Sequence, residues 1–169
     1  LVKYVCEARS ENVVTDVRCY RWEGTRLAGA LRKMVERCLS RKWRAVGLAE
    51  KSDQVIALSE ALWTDDPASF LPHGEARDGH AGQQPIWLTH EDENPNEASV
   101  LFLTHGAHSE AIGRYDLVCR LFDGADDEAV ATARVFWKQE EADGHHLTYW
   151  QQTDRGWEKK AERGAVETG

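Results

Sequence analysis

The first half of the chain switches twice between a period of two and a period near 3.6, and that switching constrains the fold more than any other feature. In "DVRCYRW", Asp16 to Trp22, Val17, Cys19 and Arg21 alternate with Arg18, Tyr20 and Trp22, the repeat of a strand. Thr25 then stands where a helix cap belongs. Leu27, Leu31, Met34, Val35, Cys38 and Leu39 follow at offsets of three and four, the apolar stripe of a helix with one buried face. "WRAVGLA", Trp43 to Ala49, is an apolar run of strand length, and Val55, Ile56, Ser59, Leu62 and Trp63 share a face of a second helix, about Ser52 to Trp63. Strand, helix, strand, helix requires crossover connections and hence parallel pairing.

Farther along, "PIWLT" and "SVLFLT" are strand-like runs separated by the acidic, turn-forming "EDENPNEA". A strand at Tyr115 to Phe122, a long helix at about Asp126 to Asp143 and a strand around "LTYWQQ" complete the pattern. The sequence therefore predicts an α/β domain of three layers, a mostly parallel sheet with helices on both faces. Its length of 169 residues suffices for one core, and the polar, Gly-rich stretch Gly74 to Gln84 reads as a long loop inside it. A single domain is expected over residues 13–169, with a C-terminal tail from about 158 and residues 1–12 as an N-terminal extension.

Several function classes lose support on composition. The longest purely apolar runs, such as Val100 to Leu103, fall far short of the roughly 20 residues needed to cross a membrane. The stretch "LVKYVCEARSEN" mixes Lys3, Glu7, Arg9 and Glu11 into its apolar residues and lacks the unbroken core of a secretory signal, so a cytoplasmic protein is expected. Cys6, Cys19, Cys38 and Cys119 follow no disulfide or metal spacing and read as reduced thiols, mostly buried. A net charge of −8 argues against a protein whose main task is gripping nucleic acid, while leaving room for a local basic patch. DNA is expected to be reached only indirectly, through another protein.

The sequence carries no recognisable motif for catalysis or cofactor binding. An open parallel sheet invites a nucleotide at its first strand-to-helix turn, but that turn reads "RWEGTRLAGAL", and neither GxGxxG nor GxxxxGK[ST] occurs. The topology is Rossmann-like without the nucleotide motif. His105 and His108 in "THGAH", and His145 and His146 in "GHH", are pairs of close histidines whose remaining ligands the sequence does not identify. There is no GxSxG elbow, and Glu91, Asp92 and Glu93 read as a solvated acidic loop. No catalytic residue, metal or cofactor is assigned. A small α/β enzyme or nucleotide-binding protein with a divergent loop stands as the competing reading.

Two features of surface design remain. "EALWTDDPASFLPHG", Glu60 to Gly74, closes a helix and then spends Trp63, Phe70, Leu71, Pro72 and His73 on an irregular segment, where apolar groups are either tucked under the loop or offered to something else. The long helix begins with Asp126, Asp127 and Glu128, where the helix dipole favours negative charge, and Gly144 supplies its stop. Ala129, Ala133 and Phe136 form the stripe expected to face the sheet. Another stripe holds Val130, Arg134, Trp137 and Lys138, so two cations flank an aromatic group on one face. Those cations are either solvated, with Trp137 packed at the helix edge, or they hold an acidic peptide whose end carries an apolar side chain. Composition does not choose between the two.

The segments "EALWTDDPASFLPHG", "QPIWLT", "FDGADDEAVATAR" and "LTYWQQTDRGWEKKA" resemble, in that order, the chi subunit of bacterial DNA polymerase III, particularly its alphaproteobacterial form. The resemblance covers about Val14 to Ala161; residues 1 to about 12 match nothing in the family. It implies a non-catalytic adaptor with a nucleotide-binding-like fold that lacks the nucleotide motif, working in the cytoplasm at the replisome as a monomer or heterodimer. Two partners are implied: the psi subunit of the clamp-loader complex, and the acidic C-terminal tail of single-stranded DNA-binding protein, which ends in an aromatic residue with a free carboxylate. By the same resemblance, Arg134, Trp137, Lys138 and Val130 fall on the tail-binding face, and Trp63, Phe70, Pro72 and His73 on the psi side. Val130 stands where some family members carry a further basic residue. In a lineage without psi, the tail-binding face alone would remain functional.

Overall fold

A computed structural model describes residues 14–23, 26–66 and 68–164 of the chain. Among them the elements run β1 (Asp16–Trp22), α1 (Leu27–Ser40), β2 (Ala45–Leu48), α2 (Ser52–Thr64), β3 (Ile86–Thr89), β4 (Val100–Leu103), β5 (Leu117–Asp123), α3 (Asp127–Ala142), β6 (His146–Thr153) and β7 (Gly156–Arg163). The seven strands form one sheet in the order β3-β2-β4-β5-β1-β6-β7. Every pairing is parallel except that of β6 with β7, which is an antiparallel hairpin. The expected α/β architecture is thus observed.

Burial on both sides explains why the inner strands read as apolar runs instead of clean alternations. Residues of β2, β3 and β4 are buried throughout. One face carries Tyr20, Ile86, Leu88, Val100, Phe102, Cys119 and Leu121, packed against Leu31, Val35 and Cys38 of α1 and Val55, Leu58 and Leu62 of α2. The other face carries Val17, Cys19, Val46, Leu48, Leu101, Leu103, Val118 and Leu147, covered by α3 and by loops bearing Ala98, Ala107, Ile112 and Tyr115. Gly47 marks the tightest approach in the sheet: a Cβ there would meet Leu88 Cδ2 at 2.7 Å. The long loop after α2 returns to the sheet at Gly74, whose N–H donates to Ile86 O and whose carbonyl accepts from Leu88 N–H, so it covers the outer edge of β3.

The α3 helix shows how local signals and packing cooperate. Asp126 caps it by accepting from Glu128 N–H at 3.0 Å and Ala129 N–H at 3.2 Å, a contribution of about 1 kcal/mol. At the other end Gly144 takes φ +85°, and His145 N–H donates to Glu140 O, closing the helix in a Schellman turn. The expected cap of α1, Thr25, lies outside the described residues, as does Cys6.

Three boundaries differ from the sequence reading. The apolar run starting at Trp43 suggests a strand from that residue, but β2 begins at Ala45 and Trp43 lies outside it, 39% exposed. Tyr115 precedes β5 because the short 3-10 turn Ile112–Arg114 captures its N–H. The segment expected as a tail from about 158 belongs to β7, which pairs with β6 along its length. "GWEKKAER" gives no strand signal because only Trp157 and Ala161 are half-buried, and its charges blunt the sheet edge instead of filling a core.

Cys19, Cys38 and Cys119 are free and buried. Burial pushes their thiols up, to about 11 for Cys38, about 12 for Cys19 and further for Cys119. In the folded protein these three are expected to resist a thiol-modifying reagent at about pH 8 and to react fully in denaturant, because the thiolate is the nucleophile. Rapid native labelling of Cys19 or Cys119, read by peptide mapping, would contradict their placement.

Candidate functional site

Two clefts flank α3, and their charges are opposite. The larger, of about 620 Å³, opens at the carboxyl ends of β1, β4 and β5, where an α/β sheet of this kind usually places a ligand. Glu50, Asp123, Asp126 and Glu128 line it, with His105 and the buried Arg120. The N-terminal donors of α3 that would receive a phosphate are already occupied by the Asp126 carboxylate. An anionic nucleotide meets repulsion here, and the competing reading loses its natural site.

The smaller cleft, of about 260 Å³, lies on the α3 face of the sheet toward its β7 edge. Cys19 and Arg21 come from β1, Phe122 from β5, Tyr149 from β6, Ala161 and Arg163 from β7, and Val130, Ala133, Arg134 and Trp137 from α3. Among the described residues no carboxylate lines it. Phe122 and Tyr149 stack with ring centroids 6.4 Å apart, and with Trp137 they give the cleft an aromatic lining under three guanidinium groups. Arg21 is held by Glu23 Oε1 at 2.8 Å and Gly124 O at 3.1 Å, whereas Arg134 makes no ion pair among the described residues. Arg163 donates to the carbonyl of Glu162. The raised Cys19 thiol is a wall of the cleft, not a nucleophile.

Of the residues assigned to this helix face, Val130, Arg134 and Trp137 meet in the cleft; Lys138 is exposed and does not line it. The period of β1 puts Arg21 on the face of Val17 and Cys19, which is a usable signal. Arg163 and Ala161 have none, since β7 is not legible as a strand. Phe122 and Tyr149 are visible only as strand residues, because their meeting depends on β5, β1 and β6 being neighbours.

The loop after α2 forms a separate surface. Phe70 is 77% exposed and Trp63 42% exposed, their ring centroids 5.7 Å apart. Phe70 is therefore not tucked under the loop. Its presentation is rigidly supported: the buried Arg32 of α1 donates to Leu62 O at 2.7 Å and Ser69 O at 3.0 Å, fixing both ends of the segment. His73 is buried, bonded to the carbonyls of Leu71 and Ser59, and its ring lies tilted against that of Trp63 with centroids 4.1 Å apart. It shapes the loop from beneath, with Pro72 half-buried beside it.

The four histidines of "THGAH" and "GHH" are dispersed. His108 stacks on Phe136, His105 contacts Thr104 Oγ1, His145 accepts from Thr15 N–H, and His146 sits between Asp16 and Glu162. Among the described residues no group of three or more His, Cys, Asp or Glu is arranged to hold a metal ion. No helix of the described residues is long and apolar enough to cross a membrane.

The family model described as DNA polymerase III chi subunit, HolC, matches residues 15–148. A relative from Rickettsia prowazekii (strain Madrid E), named "Probable DNA polymerase III subunit chi", is 36% identical over 74 residues, 44% of this chain and 45% of the relative. The match thus spans less than half the length of that curated relative. The α2 loop and the whole of α3 fall within the family match, whereas β7, with Ala161 and Arg163, lies beyond it.

Proposed function

Because the chain belongs to the DNA polymerase III chi subunit family, we propose that it is a non-catalytic accessory subunit of the polymerase III holoenzyme that links psi, on the clamp-loader side, to the C-terminal tail of single-stranded DNA-binding protein. The observation that carries this reading is the small cleft. Its aromatic lining suits a terminal apolar side chain, and its guanidinium groups, in a chain of net charge −8, suit an acidic peptide with a free carboxylate. Lys138, just outside the cleft, extends the same charge toward residues preceding the terminus. The protein works in the cytoplasm at the replisome, and its hold on coated DNA comes chiefly through the tail.

The psi-side role of Trp63 and Phe70 is supported by their exposure and mutual contact, since rigidly held exposed aromatics make efficient anchors. His73 and Pro72 support that surface. Phe70→Ala is expected to weaken psi binding by about 2 kcal/mol, as loss of an interface anchor does. Its effect on stability should be about 0.5 kcal/mol or less, because the ring contributes little to the core. A binding titration beside chemical denaturation measures both; unchanged psi affinity would remove Phe70 from the interface.

A thermal-shift screen tests the reading as a whole. Ligands that bind only the native state raise the melting temperature. The expected result is a rise with an acidic peptide ending in Pro-Phe and none with nucleotides or divalent metals. A rise with nucleotides alone would overturn the proposal in favour of a small nucleotide-binding protein.

A further inference from the structure

A second basic surface lies at the C-terminal end of α1, on the opposite side of the sheet from the tail cleft, and neither cleft contains any of its residues. Within the eight residues 37–44, Arg37, Arg41, Lys42 and Arg44 are all exposed and no acidic residue intervenes. None of the four makes an ion pair among the described residues. Beside them Trp43 is 39% exposed, with the Arg41 guanidinium 4.9 Å from the centre of its ring.

The backbone holds this group in one arrangement. Trp43 N–H donates to Cys38 O at 2.9 Å and Lys42 N–H to Leu39 O at 3.0 Å, the paired bonds of a Schellman turn. The left-handed residue of such a turn is usually glycine, yet here it is Lys42, at φ +59°. Arg44 fastens the far side, donating to Gly82 O at 3.0 Å and Asn96 O at 3.1 Å. Favourable interaction with the helix dipole accounts for Arg37 in the last turn. It accounts neither for an exposed indole nor for a lysine in the conformation that glycine fills best.

We propose that this corner is a docking surface for single-stranded nucleic acid, with Arg37, Arg41 and Lys42 on successive phosphates and a base against Trp43. Cations tracking a backbone beside an aromatic face that accepts any base is the general means of binding single strands without sequence preference. An acidic peptide is the weaker fit, because Trp43 offers a flat exposed ring and not a pocket for a side chain. The contact departs from the expectation, drawn from net charge, that DNA is touched only through another protein. It is weak alone and becomes effective once another site holds the protein close to the strand.

The full-length protein and a fluorescein-labelled oligothymidylate, followed by anisotropy, test this. Binding is expected at about 50 mM salt, with the logarithm of affinity falling against that of salt at a slope of about −2, as three neutralised phosphates require. Arg37→Gln/Arg41→Gln/Lys42→Gln should lose roughly tenfold or more in affinity while keeping its response to the tail peptide. Lys42→Gly should bind the oligonucleotide more weakly yet melt at a higher temperature, a combination that a purely structural role of Lys42 does not produce. No binding by the wild type at low salt, or equal oligonucleotide affinities for wild type and the triple variant, would overturn the proposal. So would a polyglutamate peptide competing as well as unlabelled oligonucleotide, which would assign the surface to an acidic protein segment.

Discussion

Glu140→Ala is expected to cost about 3–5 kcal/mol of fold stability, the largest single-residue effect anticipated in this protein. Glu140, on the sheet-facing side of α3, is 1% exposed and pairs with Arg120 of β5, which is 3% exposed. Arg120 also donates to Ala107 O at 3.0 Å, and the Phe136 ring lies 4.3 Å from its guanidinium carbon, with His108 stacked on Phe136. Removing the carboxylate leaves a buried guanidinium without its counter-charge, and desolvation is then uncompensated. The loss should persist at high salt, since the two paired side chains are almost wholly enclosed and their interaction is little screened. Arg120 Nε and Glu140 Oε2 have no hydrogen-bond partner among the described residues, so the pair is imperfectly satisfied. Replacing both partners together, as Arg120→Met/Glu140→Leu, should therefore recover most of the stability. Denaturant unfolding of the single and double variants measures this; a loss below about 1 kcal/mol for Glu140→Ala would contradict the burial.

The second large effect is on binding. Arg134→Glu is expected to weaken association with the acidic tail by about 3 kcal/mol, more than a hundredfold, and Arg134→Gln by less. Arg134 lines the cleft beside Trp137 and is not engaged by any carboxylate of its own chain among the described residues, so its charge is available to a ligand. Neutralisation removes an attraction, whereas reversal adds repulsion between the introduced carboxylate and those of the tail. Salt should weaken wild-type binding without abolishing it, because the contribution from burying an apolar side chain against Trp137, Phe122 and Tyr149 is not screened. Calorimetric titration of the three proteins at two salt concentrations separates these parts, and equal affinities would remove Arg134 from the site.

The sheet order, the ion pair and the second cleft mark where sequence reading stops. Periodicity locates β1, both early helices and α3 because each buries a continuous face, and burial imposes a period. It misses the Arg120–Glu140 pair, since "LVCRLF" and "WKQEEADG" reveal neither that Arg120 is enclosed nor that Glu140 turns inward. It misses β7 because an edge strand needs hydrogen bonds more than apolar side chains, and so Arg163 cannot be placed in the cleft from sequence. The apolar character of Trp43 draws it into a strand on paper, when its N–H closes the turn that ends α1 by donating to Cys38 O, and β2 begins only at Ala45. On the α2 loop the sequence raises the question of exposure, and the bonds from Arg32 answer it by holding Leu62 and Ser69 so that Phe70 projects.

The central claim is that the cleft between α3 and the β7 side of the sheet receives the acidic tail, and mapping that peptide on the isotope-labelled full-length protein by NMR tests it most directly. The account predicts that amide and side-chain resonances of Val130 to Lys138, Arg21, Tyr149 and Arg163 shift together as peptide is added, while those around Glu50, Asp123 and Glu128 do not. Shifts confined to the acidic cleft, or a saturating interaction that leaves Arg134 and Trp137 unmoved, would contradict it.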